Sequence, residues 1–334
     1  MGAGGPSLQV AVVSGGVGAA RLLSGLVQVT DPPGIAAVVN VGDDTVFHGL
    51  AVCPDLDTIT YTLAGAVNPA TGWGLAGETW AALGSLRRHA QANDRPDVGW
   101  FALGDLDLGT HLWRTHRLGE GARLTEVTAE IVRTFDLQLA LLPVTDDRIR
   151  TRVATASGDE LAFQEYFVRE HQDVTVASVR FDGAAGATPS PEATAALADA
   201  AVVMIAPSNP VVSVGPVLAV PGVSDLLAGR RGSVVAVSPL VGGEALKGPA
   251  ARLMTDLGEE ASVVGVARRY APFASVLVID PADAHLAGAV AEAGMDPLVV
   301  PSVMDTPRSA ANLARACLDA VPPNSARPSV GTLP

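Results

Sequence analysis

The stretch Val10-Ala11-Val12-Val13-Ser14-Gly15-Gly16-Val17-Gly18-Ala19-Ala20-Arg21 decides the reading of this chain. Four apolar residues without polar alternation predict a strand buried on both faces. The glycines that follow let the backbone turn sharply and approach a ligand closely. Ala19 to Val27 then predicts a helix that opens on those glycines. Free amides at a helix N-terminus attract phosphate, so Gly15, Gly16, Val17 and Gly18 form a candidate phosphate cradle. A tight strand-to-helix turn without a ligand fits the same residues. The Gly-Lys-Ser/Thr ending of a P-loop is missing, which disfavours ordinary ATP hydrolysis. Arg21 stands where a dinucleotide fingerprint has its third glycine, and the second apolar run ends at Asn40 rather than at an acidic residue. Both features count against a nicotinamide-dependent oxidoreductase.

Working outward, short apolar runs recur at Ile35 to Val41, Leu139 to Val144, Val174 to Val179, Ala201 to Ala206, Val234 to Val237, Val263 to Val266, Val276 to Ile279 and Leu298 to Val300. Each reads as a buried strand. Helix-like segments lie between many of them, at Glu78 to Ala92, Leu124 to Phe135, Pro249 to Leu257, Ala282 to Ala293 and Arg308 to Val321. This alternation predicts an α/β, Rossmann-like fold: a mostly parallel sheet with helices on both faces, in one domain over residues 8–320. Residues 148–186 are less helical and carry Phe163, Tyr166 and Phe167, which predicts a smaller β-rich insertion or lid. Residues 1–6 and 322–334 are rich in Gly, Pro and Ser and are expected to be disordered.

Composition narrows the function. The chain has 334 residues, 48% hydrophobic and 17% charged, enough to fill a large core. A net charge of -13 speaks against non-specific nucleic-acid binding, which needs a basic surface. It leaves room for an anionic small substrate, because a local site with a cation outweighs the overall field. Two cysteines, Cys53 and Cys317, make no disulfide framework, which points to a reducing cytoplasm. No apolar stretch is long enough to span a bilayer, so no membrane role is expected.

Three further motifs carry chemistry. Asn40-Val41-Gly42-Asp43-Asp44 closes the second strand, where parallel sheets bind ligands, although either aspartate can simply cap a turn. Cys53-Pro54-Asp55-Leu56-Asp57-Thr58 looks like a helix start. Asp55 and Asp57 there either complement the helix dipole or, with Asp43, offer oxygen ligands to Mg²⁺. Pro207-Ser208-Asn209-Pro210 with Ser213-Val214-Gly215 follows another apolar strand. Its side chains and amides can read a nucleotide, or the segment is a rigid connector. His111 is open between a pocket residue and a helix-surface residue, and Cys53 reads as packing.

With Leu103-Gly104-Asp105, Thr110-His111 and Ser238-Pro239 added, these motifs in this order resemble the 2-phospho-L-lactate transferase family of coenzyme F-420 biosynthesis. Its actinobacterial members are called phosphoenolpyruvate transferases. The resemblance runs from about residue 8 to residue 320. It implies an Mg²⁺-dependent enzyme, dimeric and cytoplasmic. Such an enzyme joins the ribityl hydroxyl of the deazaflavin Fo to a phosphoenolpyruvyl or 2-phospholactyl group from a guanosine diphosphate-linked donor, releasing GMP. It also implies roles. Gly15 to Gly18, Pro207, Ser208, Asn209, Ser213 and Gly215 would hold the nucleotide. Asp43 and Asp55 would hold Mg²⁺. Asp57, with Thr58, would meet the Fo hydroxyl, and Asp55 would share the catalytic work. The family can place a basic residue just before Leu103, whereas this chain has Phe101-Ala102, so Ala102 offers only backbone. A related group, the regulatory gluconeogenesis-factor proteins, shares the glycine turn and supplies the alternative: a sugar-nucleotide binder that is not an enzyme.

Overall fold

The computed structural model describes residues 9–69, 72–95, 97–245 and 248–321. The stretches expected to be disordered, 1–6 and 322–334, lie outside them. Seven strands form one sheet in the order Asp296–Val299, Val276–Ile279, Val234–Val237, Val202–Ile205, Val10–Ser14, Ile35–Val39, Ala140–Pro143. Every neighbouring pair is parallel. Val10–Ser14 is first in the chain but central in the sheet, and the order reverses between it and Val202–Ile205. The carboxyl edge at such a reversal is where Rossmann-type sheets bind ligands.

The five inner strands are almost wholly apolar and buried because both of their faces pack under a helical layer, whereas the edge strands Asp296–Val299 and Ala140–Pro143 are partly exposed. Ala11, Val13, Ala36, Val38, Val203 and Ile205 enter one core layer. Val10, Val12, Ala37, Val39, Val202 and Met204 enter the other. Successive residues on a strand point to opposite faces, so one short run feeds both layers. Leu22, Leu23 and Leu26 of the Gly16–Leu26 helix, Leu56 and Ile59 of Pro54–Leu63, and Leu313 and Ala314 of Pro307–Asp319 cover the second layer. Each fully buried leucine there contributes about 1.5–3 kcal/mol. Helices Pro191–Asp199, Val214–Leu218 and Val263–Tyr270 lie on the first.

Val263 to Val266 departs from the sequence-based expectation. It is the first turn of a helix, not a strand. Ser262 accepts hydrogen bonds from the amides of Val264 and Gly265 at 3.1 and 3.3 Å, which starts the helix. The valines are buried, so their uninterrupted apolar run carries no period to separate helix from strand. Val174 to Val179 overlaps a strand, Val176–Asp182, but outside the main sheet. It pairs antiparallel with Arg150–Thr155, which also pairs with Glu160–Ala162. The Thr151 amide donates to Gly42 O at 2.7 Å and fastens this small sheet to the carboxyl edge of the main one.

Two helices cap each other. Glu78 accepts from the amides of Leu106 and Asp107 at 2.7 and 2.8 Å, in the first turn of Asp105–Gly119. Asp105 accepts from the amides of Ala81 and Ala82 at 2.9 and 3.0 Å, in the first turn of Ala81–Ala92. Each carboxylate satisfies amides with no helical partner and sits at the positive end of the other helix's dipole. Asp105→Ala should therefore lower the urea midpoint of unfolding. A urea midpoint equal to that of the parent chain would show that the cap carries no stability.

Candidate functional site

The glycine turn is shaped by contact. Gly16 has φ +65°, a left-handed conformation that side chains resist. A Cβ on Gly18 would lie 2.1 Å from Pro207 O, and one on Gly15 would lie 2.7 Å from Ser213 Cβ and 3.0 Å from Asp55 Oδ2. Only glycine permits the turn, the Pro207–Ser213 loop and Asp55 to converge here. Ser208 Oγ donates to Gly15 O at 2.7 Å and locks the two loops together. The Gly16–Leu26 helix has no side-chain cap and no acidic residue in its first turn. Its N-terminus is therefore chemically suited to an anion.

Asn40 organises the acidic residues. It is wholly buried at the end of the Ile35–Val39 strand. Its Oδ1 accepts from the Gly42 amide at 2.7 Å, and its Nδ2 donates to Asp55 Oδ2 at 2.8 Å. Asp43 receives Thr151 Oγ1 at 3.3 Å. Burial, then the charge of Asp55, holds the Asp43 carboxyl well above the usual carboxylate range. Burial raises Asp55 as well, opposed by Asn40 and the Gly16 amide. Burial pushes Asp44 up to about 7, against the Cys53 thiol and the positive charges of Arg150 and Arg114. The fold thus brings Asp43 and Asp55 together with no positive charge among the influences on them, whereas Asp44 lies near Arg150 and Arg114.

Asp57 has a different environment. Two residues further along the helix, it faces away from Asp55's partners and pairs with Arg114 of the Asp105–Gly119 helix. Nη1 donates to Asp57 Oδ2 at 3.1 Å and Nη2 donates to Oδ1. Arg114 is 1% exposed. His111, at the same exposure, presents Nδ1 to Arg114 Nη1 at 3.3 Å, which resolves its two possible placements in favour of the interior. Tyr61 donates to Asp107 at 2.6 Å beside it.

The other candidates divide. Pro207, Ser208 and Ser213 pack on the glycine turn. Asn209 Oδ1 accepts from the amides of Val211 and Val212, which leaves its Nδ2 buried and without a partner. Thr58 is half-buried next to Asp57. Ala102 lines a separate groove of about 290 Å³ with Trp80, Leu83, Gly84 and Arg87. Gly215 lies against Phe181, where its missing Cβ would be 3.0 Å from Cζ, and lines a cavity of about 600 Å³ away from the turn. Arg114, Thr151 and the bridging role of Asn40 were not read from the sequence. Arg114 lies three residues after His111, but helical spacing alone does not distinguish a buried arginine from a surface one.

A glycine turn at a helix N-terminus and buried carboxylates thus lie together at the switch point of a parallel sheet, in an α/β protein of the Rossmann type. The chain belongs to the 2-phospho-L-lactate transferase CofD family, whose model matches residues 10–305. It is similar to the phosphoenolpyruvate transferase of Kitasatospora aureofaciens, 38% identical over 316 residues, covering 93% of this chain and 97% of that one. It is also similar to the phosphoenolpyruvate transferase of Mycobacterium tuberculosis strain H37Rv, 39% identical over 330 residues, covering 93% and 98%. A member of the UPF0052 family from Bacillus halodurans shares the fold, with a TM-score of 0.59 and 17% identity over 94% of this chain and 100% of that one. No helix among the described residues is long and apolar enough to cross a membrane.

The carboxylates give two stability predictions. A carboxyl raised above its unfolded value of 3.8 binds more protons in the folded state, so its contribution is full at low pH and is lost as pH rises through the folded value. In the presence of a chelator, the melting temperature should fall between about pH 4 and 7. A flat profile would mean that these carboxyls are not burdened by burial. Asp57→Asn should cost about 3–5 kcal/mol, because it leaves buried Arg114 unpaired. Asp55→Asn should cost far less in metal-free protein, since it removes a charge that repels Asp43. Equal losses in denaturant titrations would refute the distinction.

Proposed function

We propose that this chain transfers a phosphoenolpyruvyl group from a guanosine diphosphate-linked donor to the ribityl hydroxyl of the deazaflavin Fo, releasing GMP, in coenzyme F-420 biosynthesis. The observation that carries this reading is the contact of the Gly15–Gly18 turn with Asp55, which Asn40 joins to the Asp43 loop. Membership of the family supports the reaction class. The names of the relatives favour the enolpyruvate donor over the lactate one.

In this reading the donor's pyrophosphate rests on the helix N-terminus at Gly16 to Gly18. The Pro207–Ser213 loop forms the opposite wall, and Asn209 Nδ2 is free to donate to an oxygen of the nucleoside. Asp43 and Asp55 fit Mg²⁺: both are hard oxygen ligands, and their mutual repulsion is relieved by a cation. Bound there, Mg²⁺ supplies positive charge to the phosphates and to the leaving group. The Fo hydroxyl oxygen forms a bond to the distal phosphorus as the bond from that phosphorus to the GMP oxygen breaks. The hydroxyl proton passes to the Asp55 carboxylate, whose affinity for a proton is raised by burial. Phosphoryl transfer asks mainly for in-line placement and charge neutralisation, and the rigid sheet edge provides the placement. The hydroxyl contact moves from Asp57 to Asp55, because Arg114 engages both Asp57 oxygens. The exposed indole of Trp80, beside Ala102, offers a stacking face for the deazaflavin ring.

Incubating the chain with Fo, Mg²⁺ and the guanosine-linked donor should yield the Fo phosphodiester and GMP in equal amounts by mass spectrometry. Asp55→Asn should slow turnover by about 100-fold or more with an unchanged circular dichroism spectrum. No phosphodiester, or wild-type turnover in that variant, would end this reading.

A further inference from the structure

Asp57, Asp107 and His111 each place one ligand atom within 4.8 Å of the others, and all three are buried. Two carboxylates and an imidazole form a usual donor set for a divalent transition metal. His111 is itself buried, and its Nε2 faces Asp107 Oδ2 at 3.4 Å, so the imidazole and both carboxylates turn towards one another.

The space among these groups already holds a cation. Arg114 places its guanidinium on both oxygens of Asp57, and its Nη1 lies 3.3 Å from His111 Nδ1. A guanidinium has donors only, so His111 Nδ1 accepts and the ring proton sits on Nε2. Asp107 Oδ1 is engaged by the Tyr61 hydroxyl. A metal ion entering here must expel a group that is charged at every accessible pH and is 1% exposed. We infer that Arg114 stands in for a second metal ion: the acidic centre takes one divalent cation, at Asp43 and Asp55, and Arg114 permanently fills the neighbouring site formed by Asp57, Asp107 and His111. For the first ion, this rests on the reading of Asp43 and Asp55 given above. The assignment of Arg114 does not depend on it.

The arrangement has a chemical consequence. Two-metal phosphoryl-transfer centres place a second ion about 3.5–4 Å from the first to share the charge of attack and departure. Here the second positive charge is fixed in the fold. It cannot be chelated and needs no loading, and it acts by positioning Asp57 and the helix that carries Asp55.

Mn²⁺ is the probe. Equilibrium dialysis of the full chain followed by atomic absorption should count one ion per chain in the wild type, and one more in Arg114→Ala. His111→Ala added to that variant should remove the extra ion. In the wild-type background, His111→Ala should leave the count and the affinity unchanged. That single variant can overturn the inference even if Arg114→Ala fails to fold, because loss of an ion would mean that the cluster already holds metal. A folded Arg114→Ala chain with no added ion would also overturn the inference. A wild-type count of zero would refute Asp43 and Asp55 as the first site, while the difference between Arg114→Ala and wild type would still test Arg114.

Discussion

Two hydrogen bonds from one buried amide set the terms for this molecule. Asn40 accepts from the Gly42 amide and donates to Asp55, and so fixes the Asp43 loop against the Pro54–Leu63 helix. A buried amide with both ends engaged cannot swivel without leaving a polar group unsatisfied, so the two carboxylates are held at short range whatever their charges prefer. The cost is visible in how far burial and mutual repulsion raise Asp43. Such a cluster is stable only if the surrounding structure over-determines it. The wholly apolar strands on either side, packed by helices on both faces, provide that excess.

The same sheet explains why distant parts of the chain meet. All seven strands run the same way, so every loop after a strand emerges at one edge. Gly15 follows the first strand, Asn40 the second, and Pro207 the strand that lies across the reversal of order. Absent side chains complete the convergence. Gly18 lets Pro207 O approach, and Gly15 makes room for Ser213 and Asp55. The glycine turn and the acidic residues are therefore one construction, and a shift in either loop would disturb both.

Much of this was legible in the chain. The apolar runs, the glycine turn and the acidic motifs mark a parallel sheet with a centre at its edge, because strand burial and glycine backbone freedom are local properties. Val263 to Val266 was misread, because an apolar run with every position buried has no period. Arg114 was invisible for a different reason. Whether a helical arginine points outward or inward depends on what faces it, and Asp57 lies far back in the sequence. The acids stand out in the sequence, but the different partners of Asp55 and Asp57 do not. Asp55 and Asp57 are two positions apart and look equivalent as letters, whereas a helix turns them to opposite neighbours.

That division carries the functional argument furthest. Asp57 meets a cation that never leaves, and Asp43 with Asp55 meets none from the protein. A permanent ion pair at the base of the helix makes its position insensitive to substrate and to solution conditions. A pair of carboxylates short of positive charge does the opposite: burial and the charge of Asp55 raise the proton affinity of Asp43. A cluster with both kinds of carboxylate can hold its geometry constant while its charge changes, which is compatible with the transferase family to which the chain belongs.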